Sequence, residues 1–200
     1  MAAMSKGDDT RARIIRQAAA LMNVDGYVAT PVSAILAAAG LQKGGLYNHF
    51  ASRDEVAMAA YDHATELALR FMLDIERGPG RAVERLFRLI AAYRDYGRHF
   101  PLRGGCPLLK GAVEGANGPE WLRTRARQSL DRMAEIIARL LAAGQAEGGV
   151  RPEIAPDRAA LAIVATLEGA VMLTMVQRAR LPGEAALEMI EAYMKSALLA

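Results

Sequence analysis

Gln42, Lys43, Tyr47, Asn48 and His49 crowd together and bring amide, ammonium, phenol and imidazole groups to one short segment. Such groups suit recognition: an amide can pair with two atoms of an adenine edge, and a cation answers an anionic oxygen. Gly44 and Gly45 lie among them and allow a backbone to approach closely. From Gly26 to Arg53 there is no Asp or Glu, and Lys43 and Arg53 carry the formal charge there. Lys6, Arg11, Arg13 and Arg16 are close in sequence. A phosphate surface rewards such a distribution through counterion release. A buried structural segment would be equally poor in charge, and composition does not separate the two readings.

Catalytic chemistry has little to work with. There are 3 histidines (His49, His63 and His99) and no GxSxG, Walker or HExxH motif, and no carboxylate pair stands out. No enzyme activity, metal or cofactor is expected. The 1 cysteine, Cys106, excludes a disulfide within the chain and a multi-cysteine zinc site. It follows Gly104-Gly105, precedes Pro107 and has Arg103 nearby. A helix N-terminus and a cation both favour thiolate, so Cys106 is a candidate sensor of oxidants or electrophiles. A small buried hydrophobe is the other reading.

Helices must position these groups. A composition that is 52% hydrophobic, with 6% aromatics, favours helix and supports a real core over 200 residues. The net charge of +3 permits a nucleic-acid partner without requiring one. MAAMSKGDDT does not read as a secretory signal. The longest apolar run, Leu161–Val176, is interrupted by Glu168 and Gly169, so no membrane span and a cytoplasmic location are expected.

Residues 1–7 read as a flexible tail, and Asp8, Asp9 and Thr10 offer caps for a first helix that Asp25-Gly26 ends. Thr30-Pro31 opens a second, which Gly40 stops, and a short third runs from about Gln42 to Asn48. Ser52 and Glu55 form a capping box for a long fourth helix, broken at Gly78-Pro79-Gly80. Later helices are expected over about 81–98, from Pro107 to near Gly115, over about 119–146 and 156–179, and from Pro182 onward. Leu41, Leu46 and Phe50 face inward against the second helix, while Gln42, Lys43, Gly44, Gly45, Tyr47, Asn48 and His49 are left outside or sideways. Two helices joined by a tight turn, the second short and polar, have the form of a helix-turn-helix.

At this point the chain resembles the TetR family of transcriptional regulators. The matching residues are Thr10-Arg11, Gly26-Tyr27, Thr30, Ile35, Ala38-Ala39-Gly40-Leu41, Lys43-Gly44, Leu46-Tyr47, His49-Phe50, Ser52 and Glu55. They cover residues 8 to about 68; beyond that the match is one of helical layout. Leu36, Gln42 and Gly45 depart from the residues usual in the family at those positions.

The resemblance implies an all-α protein. A DNA-binding domain would cover 8–68, with its recognition motif at about 31–50, and a ligand-binding and dimerisation domain would cover 69–200. It further implies a ligand-responsive regulator, most readily a repressor that holds a palindromic operator as a homodimer and releases it on binding a small-molecule effector. Thr30, Lys43, Tyr47 and His49 would meet phosphates, with Arg53 and Gly44 beside them. Gln42, Gly45 and Asn48 are the candidates for base edges. Met58, His63, Phe71, Met72, Tyr93, Tyr96, Phe100, Cys106 and Trp121 would line the effector cavity. The last two helices would pair the subunits: Ala162, Ala165, Thr166, Gly169, Ala170 and Leu173 on one, and Ala186, Met189, Ile190, Tyr193, Met194 and Ala197 on the other. The alternatives are a helical ligand-binding dimer without specific DNA recognition, or a thiol sensor acting through Cys106.

Overall fold

The computed structural model of the protein describes residues 6–95, 100–179 and 181–199. Among these, nine α-helices follow one another, with a single isolated bridge, Val150 to Leu199, as the extended pairing. They are α1 (Lys6–Asp25), α2 (Val32–Ala39), α3 (Lys43–Tyr47), α4 (Arg53–Glu76), α5 (Ala82–Ala92), α6 (Pro107–Ala116), α7 (Glu120–Ala146), α8 (Pro156–Gln177) and α9 (Leu181–Tyr193). A 3-10 turn, Tyr93–Asp95, follows α5, and a π-turn, Met194–Leu198, follows α9.

Most helix ends fall where the punctuation puts them, with a few shifts. α1 starts at Lys6, so residues 6 and 7 belong to the helix rather than to a tail. Asp8 and Asp9 sit in its first turn, where they face the positive end of the helix dipole instead of capping it. α5 ends at Ala92, and the part of its expected span over 96–98 lies outside the described residues. α9 begins at Leu181 and closes in the π-turn instead of running on as an α-helix.

The chain divides into two compact units, Met1–Leu67 with Leu102–Arg127, and Ala68–Pro101 with Gln128–Ala200. In the first, Ile14, Ala18, Met22, Tyr27, Ile35, Leu46, Phe50, Val56, Tyr61, Leu122 and Ala126 share one core. The Tyr27 and Tyr61 rings meet edge to face at 5.0 Å between centroids. α6 is part of this core region: at Gly111 a side chain would run into the Tyr61 ring. Four hydrogen bonds tie the segment around α6 to the end of α1 and the turn after it. The Asn23 side chain, fully buried, donates to the carbonyls of Arg103 at 2.7 Å and Gly105 at 3.0 Å. Lys110 Nζ donates to the Val24 carbonyl at 2.8 Å, and the Val28 amide donates to Glu114 Oε2 at 3.0 Å. Gly104, between the two residues that Asn23 holds, has φ +97°, and a β-carbon there would stand 2.0 Å from the Asn23 carbonyl oxygen. Only glycine fits that approach.

In the second unit, Leu86, Leu89 and Ile90 of α5 and Met133, Ile136, Ile137, Leu140 and Leu141 of α7 are buried together with Ile163 and Leu167 of α8. The chain's end is pinned where the Arg151 guanidinium donates to the Leu199 carbonyl at 2.8 Å. Despite Glu168 and Gly169, α8 is long and apolar enough to cross a membrane by length and composition alone, a test that the core helix of a soluble protein also passes. It is buried along one stripe, from Ala160 through Ile163, Val164 and Leu167 to Val171, and Glu168 lies within the buried set. Leu161, Leu173 and Val176 lie on its exposed side.

Candidate nucleic-acid interface

Gly40 takes φ 63° and ψ 42°, a left-handed stop that lets Leu41 N–H reach back to the Leu36 carbonyl at 3.0 Å. The chain reverses there, and α3 starts three residues later, at Lys43, with Gln42 extended at its N-cap. A five-residue helix does not hold itself, so its support comes from behind. Leu46 and Phe50 are buried in the core of the first unit, Leu41 packs against it, and Arg11 of α1 lies over the Phe50 ring at 4.8 Å. With its inner side fixed, α3 presents Gln42, Gly44, Tyr47 and Asn48 to solvent, while Gly45 and His49 are half-buried. The side chain of Lys43 lies outside the described residues.

The two glycines differ. A β-carbon at Gly44 would meet nothing within 4 Å, whereas one at Gly45 would point at Leu41 Cδ2, 3.4 Å away. Gly44, rather than Gly45, is the glycine on the open side of α3. The base-edge role expected of Gly45 therefore finds no support in its direction.

Two more expected contacts lie elsewhere. Thr30 is 1% exposed, and its hydroxyl donates to the Gly26 carbonyl at 2.6 Å. Pro31, not Thr30, holds the N-cap position of α2. Thr30 thus closes the turn after α1 and is not turned outward to a phosphate. Arg53, at the first position of α4, folds its guanidinium back over the same turn. It donates to the Thr30 carbonyl from Nε at 3.2 Å and from Nη2 at 3.1 Å, to Val28 at 2.8 Å, and to the Tyr27 carbonyl. Its Nη1 pairs with Asp54 at 3.0 Å. Those donors are occupied, so Arg53 acts on the turn rather than reaching outward. At the start of α4 the Ser52–Glu55 box forms with a shift of one residue. Glu55 N–H donates to Ser52 Oγ at 3.1 Å, and Glu55 Oε2 accepts from the Ala51 amide at 2.6 Å.

A short polar helix, backed by a buried leucine and phenylalanine and joined to α2 by a left-handed turn, is a helix-turn-helix. Residues 14–60 match the family model described as "Bacterial regulatory proteins, tetR family", and residues 82–190 match "Tetracyclin repressor-like, C-terminal domain". The chain belongs to the TetR family. An uncharacterized HTH-type transcriptional regulator of Mycobacterium tuberculosis is 32% identical over 95% of this chain and 94% of its own length. The HTH-type transcriptional repressor DhaR of a Mycobacterium species is 26% identical over 78% of each chain. The crystal structure of a TetR transcriptional regulator from Chloroflexus aurantiacus superposes with a TM-score of 0.91 at 41% identity, covering 98% of this chain and 99% of that one. The protein is a TetR-family helix-turn-helix transcriptional regulator and not an enzyme.

The residues expected to line an effector cavity of this TetR-family chain are divided between the units. Met58, His63, Cys106 and Trp121 belong to the first, Phe71, Met72, Tyr93 and Phe100 to the second, and Tyr96 lies outside the described residues. In the second unit Phe71 is exposed, Met72 and Phe100 are buried, and the Tyr93 hydroxyl donates to Met133 Sδ at 3.7 Å. In the first, Met58 and His63 are half-buried, and the Trp121 indole N–H is buried without an acceptor among the described residues. Cys106 stands at the N-cap of α6, as its neighbours imply, but is 2% exposed. Burial keeps reagents from a thiol and speaks against the thiol-sensor reading.

Asn23, Lys110 and Glu114 were missed in the sequence. No local pattern marks them, because their partners lie some eighty residues away along the chain.

Proposed function

We propose that the protein is a repressor that binds a two-fold operator as a homodimer through α3 and leaves it when a small molecule binds. The outward row of Gln42, Gly44, Tyr47 and Asn48, held on Leu46 and Phe50, carries the reading. Gln42 and Asn48 offer amides to adenine edges, Gly44 lets the backbone come near, and Lys43, Tyr47 and His49 clamp the flanking phosphates. The repressor sense is supported by DhaR, which is named a transcriptional repressor. The pairing surface is the exposed side of α8 with Met189 and Tyr193 of α9, which are exposed and apolar. Ala170, Ile190 and Met194, expected at this surface, are instead buried within the chain. An effector releases DNA by binding the DNA-free state more tightly than the bound one, with typical coupling of about 1–3 kcal/mol.

The test is fluorescence anisotropy with DNA from upstream of the protein's own gene, at two salt concentrations and against excess competitor. Specific binding of one dimer per site, weakening steeply with salt, is the expected result. Equal affinity for own-promoter and random DNA would count against a repressor of its own gene.

A further inference from the structure

Three guanidiniums meet at a cleft where the C-terminal end of α4 faces α5 and α7. Arg77, Arg85 and Arg139 line it against one carboxylate, Glu76, over a floor that includes Leu73 and Leu140. Its volume, about 470 Å³, suits a small metabolite. Charges of one sign in a cleft ordinarily repel one another unless something answers them.

Each arginine is answered to a different degree. Arg139 spends its fork on Glu76, with Nε to Oε1 at 2.6 Å and Nη2 to Oε2 at 3.1 Å. That bond raises the Arg139 guanidinium above its ordinary value, so it stays charged at any working pH. The same bond neutralises Glu76, which then presents no free negative charge to an incoming anion. Arg85 donates from Nη1 to the Glu76 carbonyl at 2.5 Å and lies 3.8 Å from Glu147, yet its Nε is buried without a partner among the described residues. A buried unsatisfied donor is costly, and an acceptor supplied by a ligand removes that cost. Arg77 is exposed and unpaired among the described residues.

We propose that this cleft binds a compact oxyanion, the carboxylate or phosphate group of a small metabolite. Arg77 supplies the free charge and Arg85 the unspent donor. Arg139 and Glu76, locked in their bidentate pair, form a fixed wall with no net charge, so the anion is drawn by Arg77 and Arg85. The proposal concerns binding at this cleft and does not depend on the operator or on an effector response.

The test is isothermal titration calorimetry of the full chain with inorganic phosphate and with succinate, at ionic strength matched with chloride. Three proteins are compared: the unaltered chain, Arg77→Gln, and Arg158→Gln, a control at an exposed position on α8. Arg77 has no side-chain partner to lose, so its variant should melt as the parent does. Expected is saturable one-site binding of at least one probe, weakened about tenfold or more in Arg77→Gln, or about 1.4 kcal/mol, and unchanged in Arg158→Gln. Phosphate binding alone assigns the site to phosphates, and succinate binding alone assigns it to carboxylates. No saturable binding of either probe overturns the proposal, as does an equal loss in both variants.

Discussion

Arg53 sits where a cation beside a helix-turn-helix would be taken for a phosphate contact, yet it holds the carbonyls of Tyr27, Val28 and Thr30. The two roles separate in the salt dependence of DNA binding. A phosphate contact removed lowers the slope by about one, whereas a positioning residue removed weakens binding with the slope kept. Arg53→Met is therefore expected to lose about 2–3 kcal/mol of stability in urea unfolding. It should bind DNA more weakly at an unchanged slope, measured by anisotropy over a salt series. Tyr27 is coupled to the same turn. Its phenol donates to Asn23 Oδ1 at 3.2 Å, and burial, then Tyr61, Glu114 and Cys106, push its ionisation far above the ordinary 10.0. A raised value in the folded state means that the contribution is complete below the unfolded value and fades as pH climbs past it. Stability should fall from about pH 10 upward, because only the unfolded phenol ionises there. Tyr27→Phe should start about 1 kcal/mol less stable, having lost the bond to Asn23, and then fall less steeply at alkaline pH in thermal melts. Parallel curves for the two proteins would refute the link.

At the scale of elements, α3 carries two glycines in five residues, KGGLY, each costing about 1 kcal/mol of helix propensity relative to alanine. The directions of their missing side chains give the two positions different expected outcomes. Gly45→Ala would place a methyl against Leu41 and should stabilise the protein by about 0.5–1 kcal/mol while leaving DNA affinity within about twofold. Gly44→Ala should stabilise to a similar extent, but its methyl stands on the open side, so specific binding should drop about tenfold or more. Equal DNA affinities for the two variants would show that α3 does not approach DNA by that side. Helix ends, the turn at Gly40, and the inward set Leu46 and Phe50 were legible in the sequence, because glycine, proline and apolar spacing act locally. The direction of the Arg53 side chain was not legible, since a long flexible chain gives its charge to the reader but not its aim. Nor was the attachment of α6 to the end of α1. It rests on Asn23, Gly104, Lys110 and Glu114, whose pairings span distant parts of the chain.

For the whole molecule, the exposed apolar side of α8 has to be accounted for. Val176 is 78% exposed, Leu161 60% and Leu173 43%, and Met189 of α9 is 53% exposed. A helix surrounded by lipid would be apolar all round without a stripe fixed in a protein core, whereas α8 buries one stripe in its own unit and leaves the other uncovered. Large uncovered apolar surface ordinarily marks an interface, and TetR-family proteins typically pair. Gly169, where a β-carbon would meet nothing within 4 Å, leaves room on this helix for a close approach. A charge at the centre of such a surface would be buried unpaired on association, at several kcal/mol per subunit. Leu173→Glu with Val176→Glu should therefore give a folded monomer by sedimentation equilibrium at concentrations where the parent is a dimer. Its circular dichroism should match the parent's, because neither residue belongs to the core. The DNA assay then reads the consequence. A monomer meets half as many phosphates, so the slope of log affinity against log salt should halve, and own-promoter affinity should fall by more than random-DNA affinity. A variant that stays dimeric with both glutamates in place would move the pairing surface away from α8.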